Sequence, residues 1–168
     1  MKLNAKQLRV TKPTDEQLAK IKRRPIYIIL DNVLDTYNVG SIFRLADAVA
    51  AQEIILCGQT ETPPNSRIHK AAVGTETWVP WRYFKNPIEF LSGFKGKVIA
   101  IEQDPRATPL SQITNTNEPI AIVVGHETEG VSKEVLDLAD VIVEIPMLGI
   151  NKSLNVHVAA TIVLYNLL

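Results

Sequence analysis

Residues 120–132 read IAIVVGHETEGVS, and this stretch indicates how the whole chain is organised. An apolar run leads into a polar turn between Gly125 and Gly130, and a helical segment follows at about 132–139. Near-continuous apolarity with β-branched side chains predicts a strand that is covered on both faces. Four further runs of this kind lie at 25–30, 53–57, 97–101 and 141–145.

Helical stretches separate the predicted strands. They lie at about 40–51, 65–74, 86–93 and 132–139, with a final one from about 154. Strands that alternate with helices predict an α/β fold, in which a mostly parallel sheet is flanked by helices. Ligands of such sheets bind beyond the carboxyl ends of the strands, so polar residues that directly follow a strand are the candidate functional residues.

The composition is that of one ordinary globular domain, with 168 residues of which 46% are hydrophobic and 21% charged. The single cysteine, Cys57, cannot form an intramolecular disulfide, which fits a reducing compartment. No apolar run approaches the roughly 18 residues needed to span a bilayer, and the first residues show no signal-peptide core. We therefore expect a cytoplasmic protein without a membrane partner.

Charge is balanced overall but unevenly distributed. Residues 1–24 hold eight basic and two acidic side chains, a net of +6, and the remainder holds ten basic and sixteen acidic ones, a net of −6. We interpret residues 1–24 as a basic N-terminal extension and residues 25–168 as the main domain. A basic extension suits a polyanionic partner, although a solvated segment that only aids solubility explains the charge equally well.

The first candidate segment, residues 30–44, reads LDNVLDTYNVGSIFR. A strand ends, a polar turn follows, and we predict that a helix begins near Asn38, a favourable capping residue. Arg44 lies about 200° around that helix from the apolar Ile42, so it should point away from the core. Asn38 and Arg44 are suited to holding a phosphate or a ribose near a helix amino end; the alternative is a cap and a surface arginine.

The second candidate segment is the turn at 125–132. It is neither a P-loop, because no Lys-Ser/Thr follows the second glycine, nor a dinucleotide fingerprint, because position 127 is Glu. Glu127 could orient a ligand or accept backbone hydrogen bonds within the loop, and Ser132 could cap the helix that follows.

The third candidate segment, residues 145–156, reads IPMLGINKSLNV. We predict that Ser153 caps the last helix, with Asn155 in its first turn. That helix is apolar nearly all round, which predicts burial on every side. In a chain of this size one side is expected to be a subunit interface, so we predict a homodimer; burial within the same chain is the alternative.

Together and in this order, the three segments resemble the SpoU family of the SPOUT superfamily, which are S-adenosylmethionine-dependent RNA ribose 2′-O-methyltransferases. The family's Asn-x-Gly-x-x-x-Arg motif is similar to residues 38–44, its Gly-x-Glu-x-x-Gly motif to 125–130, and its Ile-Pro-Met and Ser-Leu-Asn-Val motifs to 145–147 and 153–156. The resemblance covers residues 25–168. One departure is His126, where asparagine or proline is commoner.

The resemblance implies a fold with a deep trefoil knot at the carboxyl end, S-adenosylmethionine as cofactor, no metal, and a homodimer in which the partner chain completes each site. It implies a cofactor pocket lined by Gly125, Ile145, Met147 and Leu154. It also implies that the catalytic residues are Arg44, Asn38, Glu127, Ser153 and Asn155. A guanidinium is always charged, so we expect Arg44 to hold a phosphate and stabilise a developing alkoxide, rather than to remove a proton.

The substrate implied by the resemblance is tRNA or rRNA, and we favour tRNA. The candidate RNA-binding residues are Lys20, Lys22, Arg23, Arg24 and Arg44, joined by Arg67, Lys70 and Lys152. Two rival functions remain. A non-catalytic RNA-binding protein with the same fold would not need all five catalytic residues, and a dehydrogenase would need the missing glycine fingerprint.

Overall fold

The computed structural model describes residues 12–114 and 118–168. Its centre is a seven-stranded, parallel sheet in the order β3-β2-β1-β6-β4-β7-β5. The strands are β1 (Arg24–Asp31), β2 (Ala51–Cys57), β3 (Trp81–Phe84), β4 (Lys97–Ile101), β5 (Thr108–Pro109), β6 (Ile120–Gly125) and β7 (Val141–Glu144). The predicted α/β class and mostly parallel sheet are confirmed.

Helices cover both faces of the sheet. They are α1 (Asp15–Ala19), α2 (Thr36–Ala48), α3 (Ser66–Ala72), α4 (Ile88–Leu91), α5 (Lys133–Leu138) and α6 (Val156–Leu167). Buried side chains of α2, α3 and α6 form one apolar core against the sheet, and those of α4 and α5 form a second core on the opposite face. None of the helices within the described residues is long and apolar enough to cross a membrane.

The sequence did not predict strands β3 and β5, and both lie at the edges of the sheet. β3 is exposed or half-buried at every position, and β5 has only two residues. An edge strand needs no continuous apolar run, because one side of it faces solvent. The five predicted strands are the five inner ones, which are covered on both faces.

The predicted helix caps are wrong in two places. Asp35 caps α2, because its carboxylate accepts a hydrogen bond from the backbone N–H of Tyr37 at 2.9 Å, and Asn38 lies inside the first turn, 3% exposed. Ser153 lies two residues before Asn155, which is the capping position of α6. Ser132 occupies the capping position of α5 but its side chain makes no capping hydrogen bond. Several polar residues precede each helix, so the sequence alone did not determine which of them occupies the capping position.

The connection from β4 to β6 takes an indirect route. It passes beyond β7 to form β5 at the far edge, so β7 lies between β4 and β5. On its return it meets the last helix, where Asn166 Nδ2 donates to the carbonyl of Ile113 at 3.0 Å. This path brings the carboxyl ends of β1, β4, β6 and β7 to one edge, together with the loop that precedes α6.

Candidate active site

The carboxylates of Asp31, Glu102 and Glu127 hold the loops at this edge of the sheet through hydrogen bonds. Asp31, at the end of β1, accepts a hydrogen bond from the backbone N–H of Ser132 at 2.8 Å. Glu102, after β4, accepts one from the backbone N–H of Val131, also at 2.8 Å. Both contacts hold the segment after Gly130, so the ends of β1 and β4 determine where the glycine turn lies.

The turn between Gly125 and Gly130 is closed by its own backbone. The N–H of His126 donates to the carbonyl of Gly130 at 3.0 Å, and the N–H of Gly130 donates back at 2.9 Å. A Cβ atom on Gly125 would lie 2.2 Å from the Gly130 carbonyl oxygen, and one on Gly130, where φ is +75°, would lie 2.1 Å from the Glu102 carboxylate. These glycines are therefore required by the packing of the turn itself.

Glu127 joins this turn to the start of α2. Its carboxylate accepts hydrogen bonds from the backbone N–H groups of Leu34 at 3.1 Å and Asp35 at 3.0 Å, and from Asn38 Nδ2 at 3.0 Å. Partial burial opposes ionisation, but the hydrogen bonds from Asn38, Asp35 and Leu34 outweigh it and hold the pKa of Glu127 below its ordinary value. Of the two interpretations of Glu127 that the sequence left open, the structure shows accepted backbone hydrogen bonds, from the loop before α2, and the role of orienting a ligand stays a prediction.

Asn38 carries the network one step further. Its Oδ1 lies 2.8 Å from Nδ1 of His157, in the first turn of α6. The ring of His157 also packs edge-on against Tyr37, with 5.6 Å between ring centroids. Glu127 of the 125–130 motif thus contacts Asn38 of the 38–44 motif, and Asn38 contacts His157, which lies one residue beyond the 153–156 motif.

A cavity of about 330 Å³ opens between these loops. Six of the sequence-predicted site residues line it, namely Gly125, Glu127, Ile145, Met147, Ser153 and Leu154. All four of the predicted cofactor-binding residues are among them. The remaining wall comes from the ends of β4, β6 and β7 and from the first turns of α6, including Glu102, Gln103, Glu144, Lys152 and Val156.

Three predicted catalytic residues lie outside the cavity wall. Asn38 is buried and reaches the cavity only through Glu127. Asn155 is exposed at the amino end of α6. Arg44 is exposed, six residues beyond Asn38 and therefore about 9 Å further along α2. Within residues 12–114 and 118–168 its guanidinium makes no hydrogen bond or ion pair.

The basic extension divides into two kinds of residue. Lys20, Lys22 and Arg24 are exposed. Arg23 instead donates to the carbonyls of Ala51 at 2.9 Å and Trp78 at 3.0 Å, so it fastens the entry to β1 onto the main domain. Three further basic residues of this segment, Lys2, Lys6 and Arg9, lie outside the described residues.

The site offers no obvious metal or thiol chemistry. Among the described residues no group of three or more His, Cys, Asp or Glu side chains could hold a metal ion. Burial, helped by the negative charges of Asp31 and Glu89, raises the pKa of the Cys57 thiol to about 12, so this thiol stays protonated. The groups that remain in the cavity wall are carboxylates, amides, hydroxyls, Lys152 and His126, and Arg44 and His157 lie outside that wall.

Sequence reasoning did not select His157 or Glu102. His157 lies in a helix that was predicted from its apolar residues. The available signal was that, apart from a tyrosine, His157 is the only ionisable side chain of that helix. Glu102 directly follows a predicted strand, which is the position at which ligand-binding and loop-fastening residues are expected.

Residues 25–165 match the SpoU rRNA Methylase family. A 23S rRNA (guanosine-2′-O-)-methyltransferase of Ralstonia nicotianae is 32% identical over 152 residues, which cover 90% of this chain and 61% of that protein. A tRNA (guanosine(18)-2′-O)-methyltransferase of Escherichia coli is 32% identical over 157 residues, 89% of this chain and 65% of that protein.

The fold has close counterparts among solved structures. An AdoMet-bound rRNA methyltransferase from Sinorhizobium meliloti has a TM-score of 0.78 and 28% sequence identity, over 87% of this chain and 56% of that one. The chain therefore spans less than two thirds of the length of the relatives described here.

Proposed function

The chain belongs to the SpoU rRNA methylase family, and from this membership we propose that it transfers the methyl group of S-adenosylmethionine to a ribose 2′-hydroxyl of RNA. The observation that carries the proposal is the convergence of three distant motifs on one cavity. Gly125, Glu127 and Leu154 line it, and Glu127 binds Asn38. A protein of this family that had lost its methyltransferase activity would not need to keep Glu127 bound to Asn38 beside the cavity.

The cavity suits the proposed cofactor in size and in the chemistry of its wall. Its volume of about 330 Å³ lies within the range of about 300–1,000 Å³ typical of small-molecule sites. Ile145, Met147 and Leu154 offer apolar surface to an adenine ring. Glu102 and Glu144 also line the cavity, where their negative charge could attract a sulfonium or ammonium group, and Lys152 could attract a carboxylate.

The sulfonium group, when bound, supplies an already activated methyl group. The task of the protein is then to align a ribose hydroxyl with the methyl carbon and to stabilise negative charge on the oxygen. Arg44 is free for this task because its guanidinium is exposed and unpaired within the described part of the chain. We assign Arg44 to the phosphate beside the ribose, with Asn38, Glu127, Ser153 and Asn155 positioning the ribose and the loops.

A homodimer is part of the proposal, and exposed apolar side chains support it. Leu148 and Ile150 are almost fully exposed in the loop before α6, Ile162 and Tyr165 are exposed on α6, and Leu168 is exposed directly after it. Large apolar side chains that are exposed in this way are typical of a protein interface. A second chain on this surface could also bring its Arg44 towards the cavity, which would explain why Arg44 is absent from the cavity wall of its own protomer.

The trefoil knot is also part of the proposal. Its support is the route of the β4–β6 connection, which passes outside β7, runs beside α6 and is fastened to it between Ile113 and Asn166. In addition, Gln103 Nε2 donates to the carbonyl of Lys152, so the first part of that connection lies against the segment that leads into α6. Knotted chains are rare, and the family resemblance is what makes this arrangement expected here.

We propose tRNA ahead of rRNA as the substrate, in the cytoplasm. The exposed Lys20, Lys22 and Arg24 support an RNA partner, and both tRNA and rRNA enzymes occur among the relatives. Structured RNA is recognised largely by its shape and by phosphate and 2′-hydroxyl contacts, and the cavity itself distinguishes neither class.

Calorimetry with the purified chain tests the cofactor assignment. S-adenosylmethionine should bind and NAD should not, and Leu154→Ala should weaken cofactor binding about tenfold by removing part of the cavity wall. Leu136→Ala is the control, since Leu136 is a half-buried leucine on α5 and lies outside the cavity. Binding of NAD alone, or equal effects of both substitutions, would contradict the proposal.

A further inference from the structure

Helix α2 presents one narrow face to solvent. Its exposed residues are Tyr37, Arg44 and Ala48, and Ser41 between them is half-buried. These positions are three or four residues apart, so they form a single stripe along the helix. The other sides of α2 pack on the sheet, on α3 and on α6. A molecule that approaches α2 from solvent therefore meets Tyr37 and Arg44.

Tyr37 lies at the cavity end of this stripe. Its backbone N–H donates to the carboxylate of Asp35 at 2.9 Å, and the backbone N–H of Asp35 donates to Oε1 of Glu127 at 3.0 Å. The next residue, Asn38, donates to the same oxygen at 3.0 Å. Glu127 lines the cavity. The Cα atom of Tyr37 is thus about 3.8 Å from that of a residue bound to the cavity wall.

The ring of Tyr37 is available for stacking, because the residue is 58% exposed. Within residues 12–114 and 118–168 its only aromatic contact is with His157, at 5.6 Å between ring centroids and 76° between ring planes. Two rings at this angle meet edge to face, so at least one face of the tyrosine ring stays uncovered. His157 is itself bound to Asn38, so the tyrosine ring packs against a neighbour that is held in place.

Positive charge lies along the same surface. Arg44 follows Tyr37 by seven residues, close to two helical turns, so it lies about 10 Å further along the axis on the same stripe. Its guanidinium makes no hydrogen bond or ion pair within the described part of the chain. Arg67 and Lys70 are exposed on α3, which packs against α2. Three cations therefore accompany the exposed ring, and they complement the charge of phosphate groups.

The two other exposed aromatic side chains of the described residues have different surroundings. Tyr83 is 48% exposed on the edge strand β3, and its hydroxyl donates to the carbonyl of Gly58 at 3.0 Å. Strands β2 and β1 separate β3 from the strands that line the cavity. Tyr165 lies on α6, among the apolar side chains assigned to the dimer interface. Of the three tyrosines, Tyr37 is the one that hydrogen bonds connect to the cavity wall.

Single-stranded RNA presents unstacked bases, which stack on aromatic side chains while basic side chains contact the phosphates. We propose that Tyr37 is the stacking platform for an unpaired base at the methylation site, with Arg44 at a phosphate of the same strand. The substrate class is then RNA whose target nucleotide lies in a single-stranded loop, because a base inside a duplex has no free face for the ring. This inference rests on the proposed function, which brings RNA to the cavity.

A thermodynamic cycle separates stacking from charge. A short oligouridine and an abasic RNA of the same length, which keeps every ribose and phosphate, are titrated into wild type and Tyr37→Leu with S-adenosylhomocysteine present. Leucine is apolar and favours a helix, but it has no aromatic face. Fluorescence anisotropy should show that wild type binds oligouridine about tenfold more tightly than the abasic strand, within the range for one base–aromatic stack. Tyr37→Leu should bind both strands within about twofold of each other.

Three further variants serve as controls in the same cycle. Tyr37→Phe keeps the ring and should keep the wild-type preference for bases. Tyr83→Leu changes a comparably exposed tyrosine away from the cavity and should also keep it. Arg44→Ala should weaken the binding of both strands by the same factor, because a phosphate contact does not depend on the base. If Tyr37→Leu does not fold, Tyr37→Gln replaces it.

Turnover gives a second measurement. For cellular RNA as substrate, Tyr37→Leu should raise KM about tenfold, while the Kd for S-adenosylmethionine and the melting temperature stay at the wild-type values. An oligouridine–oligoadenosine duplex should bind wild type and Tyr37→Leu equally, because its bases are stacked on one another. A duplex that depends on Tyr37 as strongly as the single strand does would contradict the proposed substrate class.

The outcomes separate this inference from the function on which it rests. Equal preference for bases in wild type and Tyr37→Leu, or no preference in either, would overturn the role of Tyr37. A dimeric wild type and a monomeric Tyr37→Leu variant in sedimentation would also overturn it, because a second copy of the chain would then cover the ring. The cycle is measured without turnover, so a wild type that shows the preference but transfers no methyl group would refute the methyltransferase assignment alone.

Discussion

The contact between α2 and α3 and the wall of the cavity both depend on glycine, but for different reasons. At the helix contact, a Cβ atom on Gly40 would lie 2.6 Å from Cβ of Ala71 and 2.6 Å from the carbonyl oxygen of Ile68. At the cavity, a Cβ atom on Gly125 would lie 2.2 Å from the backbone of Gly130. The first glycine lets two helices touch within the core, and the second lets a turn close beside the ligand site. The two motif glycines therefore serve helix packing in one region and the shape of the cavity in the other.

Gly125→Ala is expected to have the largest effect, because it should change both stability and cofactor binding. The added methyl group would meet the backbone of Gly130 and Val131 at 2.2 Å, so the turn must open. We expect a loss of about 3 kcal/mol in the free energy of unfolding together with a loss of cofactor binding. Urea unfolding and calorimetry would measure the two effects. A variant that binds the cofactor normally would show that the turn does not shape the cavity.

Gly40→Ala is expected to affect stability alone. Overpacking of the α2–α3 contact should cost about 2 kcal/mol, while the folded fraction binds the cofactor with the wild-type Kd. Gly93→Ala is the control, because a Cβ atom there would meet no atom within 4 Å. If Gly40→Ala weakened cofactor binding more than unfolding explains, the separation of the two regions would be wrong.

Arg44→Lys compares two positions of α2, because Arg44 is exposed on the same helix that buries Gly40. Lysine keeps the charge and loses the planar fork that can bind a phosphate with two hydrogen bonds. We expect kcat to fall about tenfold or more, with stability and cofactor affinity unchanged. Near-full turnover would remove Arg44 from the mechanism.

Glu127→Gln acts on the link between the two regions, because Glu127 fastens the start of α2 to the cavity turn. Its pKa is lowered in the folded protein, so the stability it contributes is present above the unfolded pKa and is lost as pH falls through the folded pKa. The difference in unfolding free energy between wild type and Glu127→Gln, about 1 kcal/mol, should therefore be present at neutral pH and disappear on acidification. A difference that persists at low pH would contradict this assignment of charge.

The smallest expected effect lies outside both regions, in the basic extension. Replacing Lys22 and Arg24 by alanine should weaken RNA binding and reduce the salt slope of log K by about two at most, since each phosphate contact contributes about 0.9. Arg23→Ala should instead lower the melting temperature, because Arg23 holds two backbone carbonyls. An unchanged salt slope in the double variant would exclude these two side chains from the RNA interface.

The inner strands and the cavity residues were predictable from sequence because each leaves a local signal. A strand covered on both faces needs a continuous apolar run, and Gly125, Ile145, Met147 and Leu154 carry recognisable motifs. The edge strands β3 and β5 leave no such run. Asp35, and not Asn38, caps α2, because the side chain of Asn38 instead binds Glu127, 89 residues away in sequence. His157 was missed for the same reason, because its contact with Asn38 is formed only in the tertiary structure.

Transfer of labelled methyl groups from S-adenosylmethionine to RNA from cells that lack this protein tests the central claim most directly. The account predicts label in a 2′-O-methylated nucleoside, identified because the adjacent phosphodiester resists alkaline cleavage when the 2′-oxygen is blocked. Label on a base, or no transfer to any cellular RNA by protein that binds the cofactor, would contradict it.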